Sequence, residues 1–139
     1  HPAGFIPPRM STRPVVLSAP PDLAPLAGLL ADAYEALPLW EDSGRARMAD
    51  AQAIVAAGEF PLANDLLDAM PRLGLVAFFT VGYEGIDPAY ARARGLRVTH
   101  AANANDEDVA DHAIGLMIAH RRAIAQGDRA LREGRWVLE

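Results

Sequence analysis

A short loop with two glycines, Gly82 and Gly85, is the part of the sequence best suited to binding a ligand. It follows an apolar run that predicts a strand, and glycine after a strand lets backbone N–H groups approach a bound molecule closely. Successive N–H groups in such a turn can form a concavity that binds an anion. Val81 and Gly82 are therefore candidate anion ligands, and the alternative is a plain tight turn into the next helix.

A second polar group, residues 105–108 (NDED), begins a long helical segment. Asn105 is a favoured N-cap residue, and Asp108 lies three residues later, in the position of a capping box. Three acids in a first turn also complement the helix dipole. Since these charges would repel an anion, we predict a capped helix and no phosphate site. A calcium loop is excluded because no glycine stands at its sixth position.

Metal and nucleophile motifs are absent from the sequence. His100, His112 and His120 include no pair four residues apart and no HExxH pattern, so we predict helix-surface or interface histidines rather than metal ligands. The chain has no Gly-x-Ser-x-Gly element, no GxGxxG loop and no P-loop. It does not by itself encode a hydrolase, a kinase or a complete dinucleotide-dependent enzyme.

Length and composition limit the classes of protein to which the chain can belong. The 139 residues predict one domain, or one domain with an extension. The content of 51% apolar and 22% charged residues argues against wholesale disorder, and the net charge of −5 argues against nucleic-acid binding. The longest apolar run, residues 113–119, is too short to span a membrane. The absence of cysteine excludes disulfides and is compatible with the cytoplasm, the predicted location.

Five apolar runs predict strands, over residues 14–19, 34–39, 52–57, 73–79 and 96–99. The other segments predict helices, over residues 22–32 with Asp22 as cap, 44–50, 63–70, 88–94, 103–127 and 128–132. Apolar strands that alternate with helices are typical of a doubly wound parallel sheet covered on both faces. Ligands bind such sheets beyond the carboxyl ends of the strands, so residues 58–60 are expected beside Val81 and Gly82.

The long helix is apolar around most of its circumference, and its apolar residues include Ile114, Met117 and Ile118. Successive residues lie about 100° apart around a helix axis, so these side chains cannot all face one sheet. A helix that is apolar on nearly all sides has to be buried on more than one side. The sequence therefore predicts that this helix packs against a second chain or against further residues of the protein.

Five stretches of the chain, taken in order, resemble the D-isomer-specific 2-hydroxyacid dehydrogenases, in particular the glyoxylate/hydroxypyruvate and hydroxyphenylpyruvate reductase branch. They are residues 53–62 (AIVAAGEFPL), 78–87 (FFTVGYEGID), 91–100 (ARARGLRVTH), 105–117 (NDEDVADHAIGLM) and 134–136 (GRW). Together they extend over about 80 residues.

This resemblance implies a flavodoxin-like substrate domain over residues 11–104, built on a doubly wound parallel sheet of five strands. Interdomain and dimerisation helices are expected over residues 105–139, leading to a nucleotide-binding domain outside the chain. Residues 1–10 are expected to be a remnant of protein expression or a flexible arm before a native start at Met10.

The resemblance also implies roles for individual residues. In the family, the backbone amides of a Val-Gly pair after the fourth strand hold the substrate carboxylate, and the matching pair here is Val81 and Gly82. Asn105 matches a residue beside the active site, and Val109 matches one that approaches the nicotinamide of the cofactor.

The implied activity is that of an NAD(P)H-dependent 2-oxoacid reductase, a homodimer that binds NAD or NADP and a small 2-oxoacid or 2-hydroxyacid. Phe60 and Tyr83 suggest a pocket that tolerates an aromatic substrate, unless both are packing residues. The family's dinucleotide loop and its catalytic Arg, Glu and His come after the segments matched here. This chain alone is therefore expected to bind no cofactor and to be inactive.

The alternative hypothesis is a non-catalytic flavodoxin-like module that binds a small anion or a partner without a cofactor. Two forms of it are already disfavoured. A phospho-receiver needs an Asp at the end of its third strand, where this chain has residues 57–59 (AGE). A flavin-binding domain needs a hydroxyl-rich phosphate loop after its first strand, where this chain has residues 18–21 (SAPP).

Overall fold

The computed structural model describes residues 13–136, so the arm predicted over residues 1–10 lies outside the described part of the chain. The strands are β1 (Val15–Ala19), β2 (Glu35–Pro38), β3 (Ala51–Ala56), β4 (Leu75–Phe78) and β5 (Arg97–Thr99). The α-helices are α1 (Ala24–Leu30), α2 (Asp42–Arg45), α3 (Asn64–Asp68), α4 (Pro88–Ala93), α5 (Asp106–Arg121) and α6 (Ile124–Arg132). Contacts divide the chain into two compact units, one ending at Ala102 and one beginning at Asn103.

The five strands of the first unit form one sheet, entirely parallel, in the order β2-β1-β3-β4-β5. This order is that of flavodoxin-like doubly wound sheets, in which the direction of winding reverses between β1 and β3. Every predicted strand is present, and its bounds differ from the prediction by two residues at most. The predicted α/β fold with five parallel strands is therefore confirmed.

Apolar side chains packed on the central strands form the core. β1 is buried along its whole length, and Leu17, Ile54 and Val76 are fully buried on three neighbouring strands. Leu67 in α3 and Ala91 in α4 belong to the same cluster. Burial of one large apolar side chain contributes about 1.5–3 kcal/mol to stability. This cluster holds the strands, and therefore the loops that follow them, in defined positions.

The first helix differs from its prediction. Asp22 does not cap it, because Asp22 lies inside a 3₁₀ turn (Pro21–Leu23) and α1 begins only at Ala24. Pro25 explains the later start, since proline lacks an N–H group and is tolerated in the first turn of a helix. Leu29, predicted on the apolar face of this helix, is 80% exposed.

The helix after the glycine loop begins and ends as predicted. The Asp87 side chain accepts a hydrogen bond from the backbone N–H of Ala89 at 2.8 Å, and Pro88 takes the first helical position. Gly95 ends the segment with a φ of +72°, in the left-handed region that glycine enters without strain. The chain then passes directly into β5.

A polar contact ties α4 to α3. The Tyr90 hydroxyl donates a hydrogen bond to the Asp68 carboxylate. The Arg94 guanidinium lies 3.6 Å from the same carboxylate and donates to the Met70 carbonyl oxygen at 3.1 Å. The hydrogen bond to Asp68 raises the pKa of Tyr90, and desolvation and the charge of Asp68 act in the same direction. These bonds help to fix α4, which follows the glycine loop.

The second unit contains two helices where a single long one was predicted to reach residue 127. α5 ends at Arg121, and Ala123 breaks the run with a left-handed φ of 49°. α6 then begins at Ile124 and contains Gly127, the predicted end. Asn105 precedes α5, but its side chain makes no capping hydrogen bond, so the predicted Asn105 cap is wrong.

The apolar side chains of α5 are exposed in this chain. Each of its five large apolar residues is more than half exposed: Val109, Ile114, Leu116, Met117 and Ile118. Over residues 13–136, no helix combines the length and the apolar character that crossing a membrane requires.

Candidate functional site

The loops that follow β3 and β4 are joined at the carboxyl edge of the sheet by the Thr80 hydroxyl. The Gly58 N–H donates to Thr80 Oγ1 at 2.7 Å, and the hydroxyl donates to the Gly82 carbonyl oxygen at 3.0 Å. Two backbone bonds continue the junction: Gly85 N–H donates to the Gly58 carbonyl at 2.5 Å, and Leu62 N–H donates to the Gly85 carbonyl at 2.8 Å. The two loops therefore form a single cross-linked element.

Two glycines make this close approach possible. A Cβ added at Gly58 would lie 2.5 Å from the Gly82 carbonyl carbon and 2.7 Å from Thr80 Oγ1. A Cβ added at Gly85 would lie 2.8 Å from the Gly58 carbonyl oxygen and 2.8 Å from the Phe60 carbonyl carbon. All four separations are shorter than the contacts that Cβ atoms make in proteins, so a side chain at either position would push the loops apart.

The N–H groups of Val81, Gly82 and Tyr83 lie in this junction without a protein partner. None of the three donates a hydrogen bond to an acceptor within residues 13–136. The loop therefore has three consecutive N–H groups available at the carboxyl edge of the sheet, and an anion-binding concavity is built from such groups. Binding of a carboxylate by Val81 and Gly82 stays a prediction.

His100 contacts the same loop, and sequence reasoning missed it. Its Nδ1 lies 2.8 Å from the Val81 carbonyl oxygen, and its ring centroid lies 5.0 Å from that of Tyr83 at an interplanar angle of 56°. His100 directly follows β5 rather than lying on a helix. The sequence could have indicated this contact, because His100 directly follows β5 and the carboxyl ends of neighbouring parallel strands lie at the same edge of the sheet. The position of Thr80 shortly after β4 indicated in the same way that it lies at this edge.

An acidic side chain lies close to one of the residues with a free N–H group. The Glu84 carboxylate lies over Gly82, with Oε1 2.9 Å from the position of a Cβ on that glycine. Its flexible side chain is exposed and can move aside. Glu59, in the loop after β3, is also exposed. No group of three residues suited to hold a metal ion is found in the described part of the chain.

A cavity of about 370 Å³ lies where the winding of the sheet reverses, at the ends of β1, β2 and β3. It is predominantly apolar, and its lining includes Pro20, Leu39, Trp40, Met48 and Phe60. Phe60 belongs to the loop after β3, which is hydrogen-bonded to the loop that carries Val81 and Gly82. Open doubly wound sheets bind ligands at this reversal point.

The two aromatic residues predicted to border one pocket line two different cavities. Phe60 lines the cavity at the reversal point. Tyr83 lines a groove of about 360 Å³ beside α4 and β5, together with Arg92, Val98 and His100.

The remaining predicted site residues, Asn105 and Val109, belong to the second unit. Asn105 is exposed before α5, and Val109 is 57% exposed in its first turn. Their predicted roles beside the substrate and the nicotinamide stay predictions. Residues 13–136 contain no glycine-rich loop to hold the phosphates of a dinucleotide, so they do not fit such a cofactor.

The sequence of residues 28–133 matches the family model described as D-isomer specific 2-hydroxyacid dehydrogenase, catalytic domain. The chain belongs to the D-isomer-specific 2-hydroxyacid dehydrogenase family. A glyoxylate/hydroxypyruvate reductase of Arabidopsis thaliana is 41% identical over 86 residues, which are 62% of this chain and 27% of that protein. The family match favours the reductase hypothesis over a non-catalytic module.

Solved structures agree with this assignment. A 2-hydroxyacid dehydrogenase from Ketogulonicigenium vulgare superposes with a TM-score of 0.78 and 32% identity, over 90% of this chain and 41% of that one. An NADPH-dependent glyoxylate/hydroxypyruvate reductase from Sinorhizobium meliloti was solved with NADP and malonate. It superposes with a TM-score of 0.72 and 38% sequence identity, over 89% of this chain and 39% of that chain. The chain spans less than half the length of each of these relatives.

Proposed function

We propose that this chain is the substrate-binding portion of an NAD(P)H-dependent 2-oxoacid reductase of the glyoxylate/hydroxypyruvate type. The observation that carries the proposal is the set of free N–H groups at Val81 and Gly82, held at the carboxyl edge of the sheet by a cross-linked pair of loops. In the full-length enzyme these groups bind the substrate carboxylate, and the nicotinamide cofactor and the catalytic Arg, Glu and His come from other parts of the protein.

Fixing the carboxylate also orients the keto group, which is bonded to the neighbouring carbon. The orientation of a reacting group in a bound complex contributes several kcal/mol to barrier lowering. The loops need to be rigid for this purpose, and three hydrogen bonds between them, with a fourth inside the loop after β4, supply that rigidity. On this proposal the chain positions the substrate, and it performs neither hydride nor proton transfer.

On the same proposal, the apolar cavity at the ends of β1, β2 and β3 receives the substituent of the 2-oxoacid, because Phe60 in its lining belongs to the loop that is hydrogen-bonded to that of Val81 and Gly82. Its lining by Phe60, Trp40 and Met48 favours an apolar substituent over a second charged group. Arg45 at the same cavity already lies 3.6 Å from the Asp42 carboxylate, so its charge is partly neutralised. Glyoxylate, which carries no substituent, would leave this cavity unfilled.

We further propose that the full-length protein is a cytoplasmic homodimer in which α5 lies at the interface. The five large apolar residues of α5 are all more than half exposed. Exposed large apolar side chains in such number on one helix point to an interaction site. The dimer is supported by the resemblance to a dimeric family. The cytoplasmic location is supported by a sequence without cysteine.

The variant Gly82→Val in the full-length enzyme tests the carboxylate site. A Cβ at this position meets the end of the flexible Glu84 side chain, so the fold is expected to survive while the donors become crowded. The KM for hydroxypyruvate should rise at least tenfold, with the KM for the cofactor unchanged. Gly74→Val is the control, because a Cβ there meets only the Gln52 carbonyl oxygen at 3.9 Å. An unchanged KM for hydroxypyruvate in Gly82→Val would refute the site.

The chain of 139 residues is expected to be inactive by itself. It contains no dinucleotide loop, so NADH should not be oxidised when glyoxylate or hydroxypyruvate is added. Absorbance at the NADH band checks this directly, with the full-length enzyme as the positive control. Turnover by the chain alone would show that the catalytic groups are present within it.

A further inference from the structure

We propose that His100 is a positioning residue for the anion-binding peptide. Its imidazole fixes the Val81–Gly82 peptide group so that the Gly82 N–H points toward the substrate carboxylate. This inference rests on the function proposed above for Val81 and Gly82. It gives a role at the site to a residue to which neither the sequence analysis nor that proposed function assigns one.

The hydrogen bond to Val81 has a defined direction. His100 Nδ1 lies 2.8 Å from the Val81 carbonyl oxygen, a normal hydrogen-bond distance. A carbonyl oxygen only accepts hydrogen bonds, so Nδ1 carries the proton and donates. In the neutral ring Nε2 is then an acceptor, which fixes the tautomer of the imidazole.

The carbonyl of Val81 and the N–H of Gly82 belong to one peptide group. That group is planar and trans, so the C=O and N–H bonds point in opposite directions. A donor that holds the carbonyl on one side therefore sets the direction of the N–H on the other side. The bond also polarises the peptide, which makes its N–H a stronger donor to a carboxylate.

Two further contacts make this arrangement specific. The Tyr83 ring packs on the imidazole, with centroids 5.0 Å apart, and restricts its rotation. Thr80 Oγ1 donates to the Gly82 carbonyl at 3.0 Å and so orients the next peptide, which carries the Tyr83 N–H. Side chains that follow two neighbouring strands, β4 and β5, therefore set the directions of two consecutive donors.

Burial does not explain the position of His100. The residue is exposed, and among residues 13–136 its side chain makes one hydrogen bond and one aromatic contact, both to the loop after β4. Arg92 lines the same groove without a hydrogen bond to that loop within the described residues. Arg92 is therefore a control for a general change of charge or shape in the groove.

Kinetics of the full-length enzyme test the effect on binding. His100→Ala should raise the KM for hydroxypyruvate about fivefold, the loss expected for one hydrogen bond, with kcat and the cofactor KM unchanged. His100→Asn should restore most of the affinity, because its amide nitrogen can occupy the place of Nδ1. Arg92→Ala should leave the KM at the wild-type value.

A spectroscopic measurement tests the peptide without turnover. Val81-Gly82 is the sole Val-Gly pair in the sequence, so labelling valine with ¹³C at the carbonyl and glycine with ¹⁵N isolates the Gly82 amide. In the 139-residue chain, His100→Ala should shift this signal, and His100→Asn should return it toward the wild-type position. Arg92→Ala should not move it.

The outcomes separate this proposal from the one on which it rests. An unmoved Gly82 signal in His100→Ala overturns the positioning role. A shifted signal with an unchanged KM also overturns it, if Gly82→Val does raise the KM, and the carboxylate site then stands. If Gly82→Val leaves the KM unchanged, the carboxylate site itself fails, and the role of His100 fails with it.

Discussion

Consecutive carbonyl groups on Val81 and Gly82 each accept a hydrogen bond from a side chain, from His100 and Thr80 respectively. Glycine permits many backbone conformations, so a glycine loop on its own would pay a high entropic cost to hold its donors in one arrangement. Here the hydrogen bonds from His100, from Thr80 and from the neighbouring loop form during folding and offset this entropic cost before a ligand binds. The residues that decide the geometry of the site are therefore those around Gly82.

At the residue scale, Gly58→Ala should damage the junction. The added methyl group would lie 2.7 Å from Thr80 Oγ1 and closer still to the Gly82 carbonyl, so the loops must separate. Overpacking of this kind costs about 1–3 kcal/mol of unfolding free energy. Urea denaturation of the chain measures this loss.

Gly28→Ala is the matched control for that measurement. Gly28 lies within α1, and a Cβ there would meet nothing within 4 Å. Alanine is favoured over glycine in a helix by about 0.5–1 kcal/mol, so this variant should be slightly more stable than the wild type. Equal effects of the two substitutions would contradict the close packing of Gly58.

The Glu84 carboxylate, which lies over Gly82, should oppose the binding of an anionic substrate. Glu84→Gln in the full-length enzyme is expected to lower the KM for hydroxypyruvate by about twofold to threefold, as befits a solvent-exposed charge. The effect should shrink in high salt because ions screen exposed charges.

Asp32→Asn makes the same change of charge at an exposed position after α1, near the amino end of β2. It should leave the KM unchanged at both salt concentrations. A higher KM in Glu84→Gln would mean that this carboxylate supports substrate binding instead of opposing it.

At the scale of elements, two helix starts that look alike in sequence should respond differently. The Asp87 side chain caps α4 through the Ala89 N–H, whereas the Asn105 side chain makes no capping bond at α5. Asp87→Ala should therefore reduce the unfolding free energy by about 1 kcal/mol, and Asn105→Ala should have little effect. Thermal or urea denaturation distinguishes them, and equal losses would contradict the capping geometry.

The strands and the glycine loop were predictable because their signals are local. Runs such as β1 and β4 are apolar and bounded by Pro or Gly, and the alternation with helices dictates a parallel sheet. The break at Ala123 was not predictable, since neither glycine nor proline marks it, and Gly127 was the more obvious end. Alanine does not usually adopt a left-handed conformation.

The partners of the site were hidden for a different reason. His100 and Thr80 act on the loop through contacts between neighbouring strands, and sequence spacing does not show which atoms meet. Trp40 and Met48 enter the apolar cavity only because the sheet order brings the end of β2 beside β1. A pattern within one segment cannot contain such information.

At the scale of the whole molecule, the exposed apolar side chains of α5 should cause the chain to associate. Sedimentation of the purified chain is expected to show a dimer that dissociates on dilution. Replacing Ile114 and Met117 with Lys should yield monomers, since charged side chains oppose burial in an apolar interface. Gln126→Lys, on α6, is a control with an added charge and should leave the dimer intact. A wild-type chain that is monomeric at all concentrations would refute the role of α5.

The two edge strands of the sheet, β2 and β5, affect association of a different kind, the pairing of strands between molecules. Both are short: β2 has four residues and ends at Pro38, which has no N–H group to donate, and β5 has three. Long, flat edge strands pair with strands of other molecules and lead to fibrillar aggregates, whereas short edge strands and proline oppose such pairing. The first unit is thus protected against polymerisation through the sides of its sheet, and this protection does not require covering the carboxyl edge, where the proposed site lies.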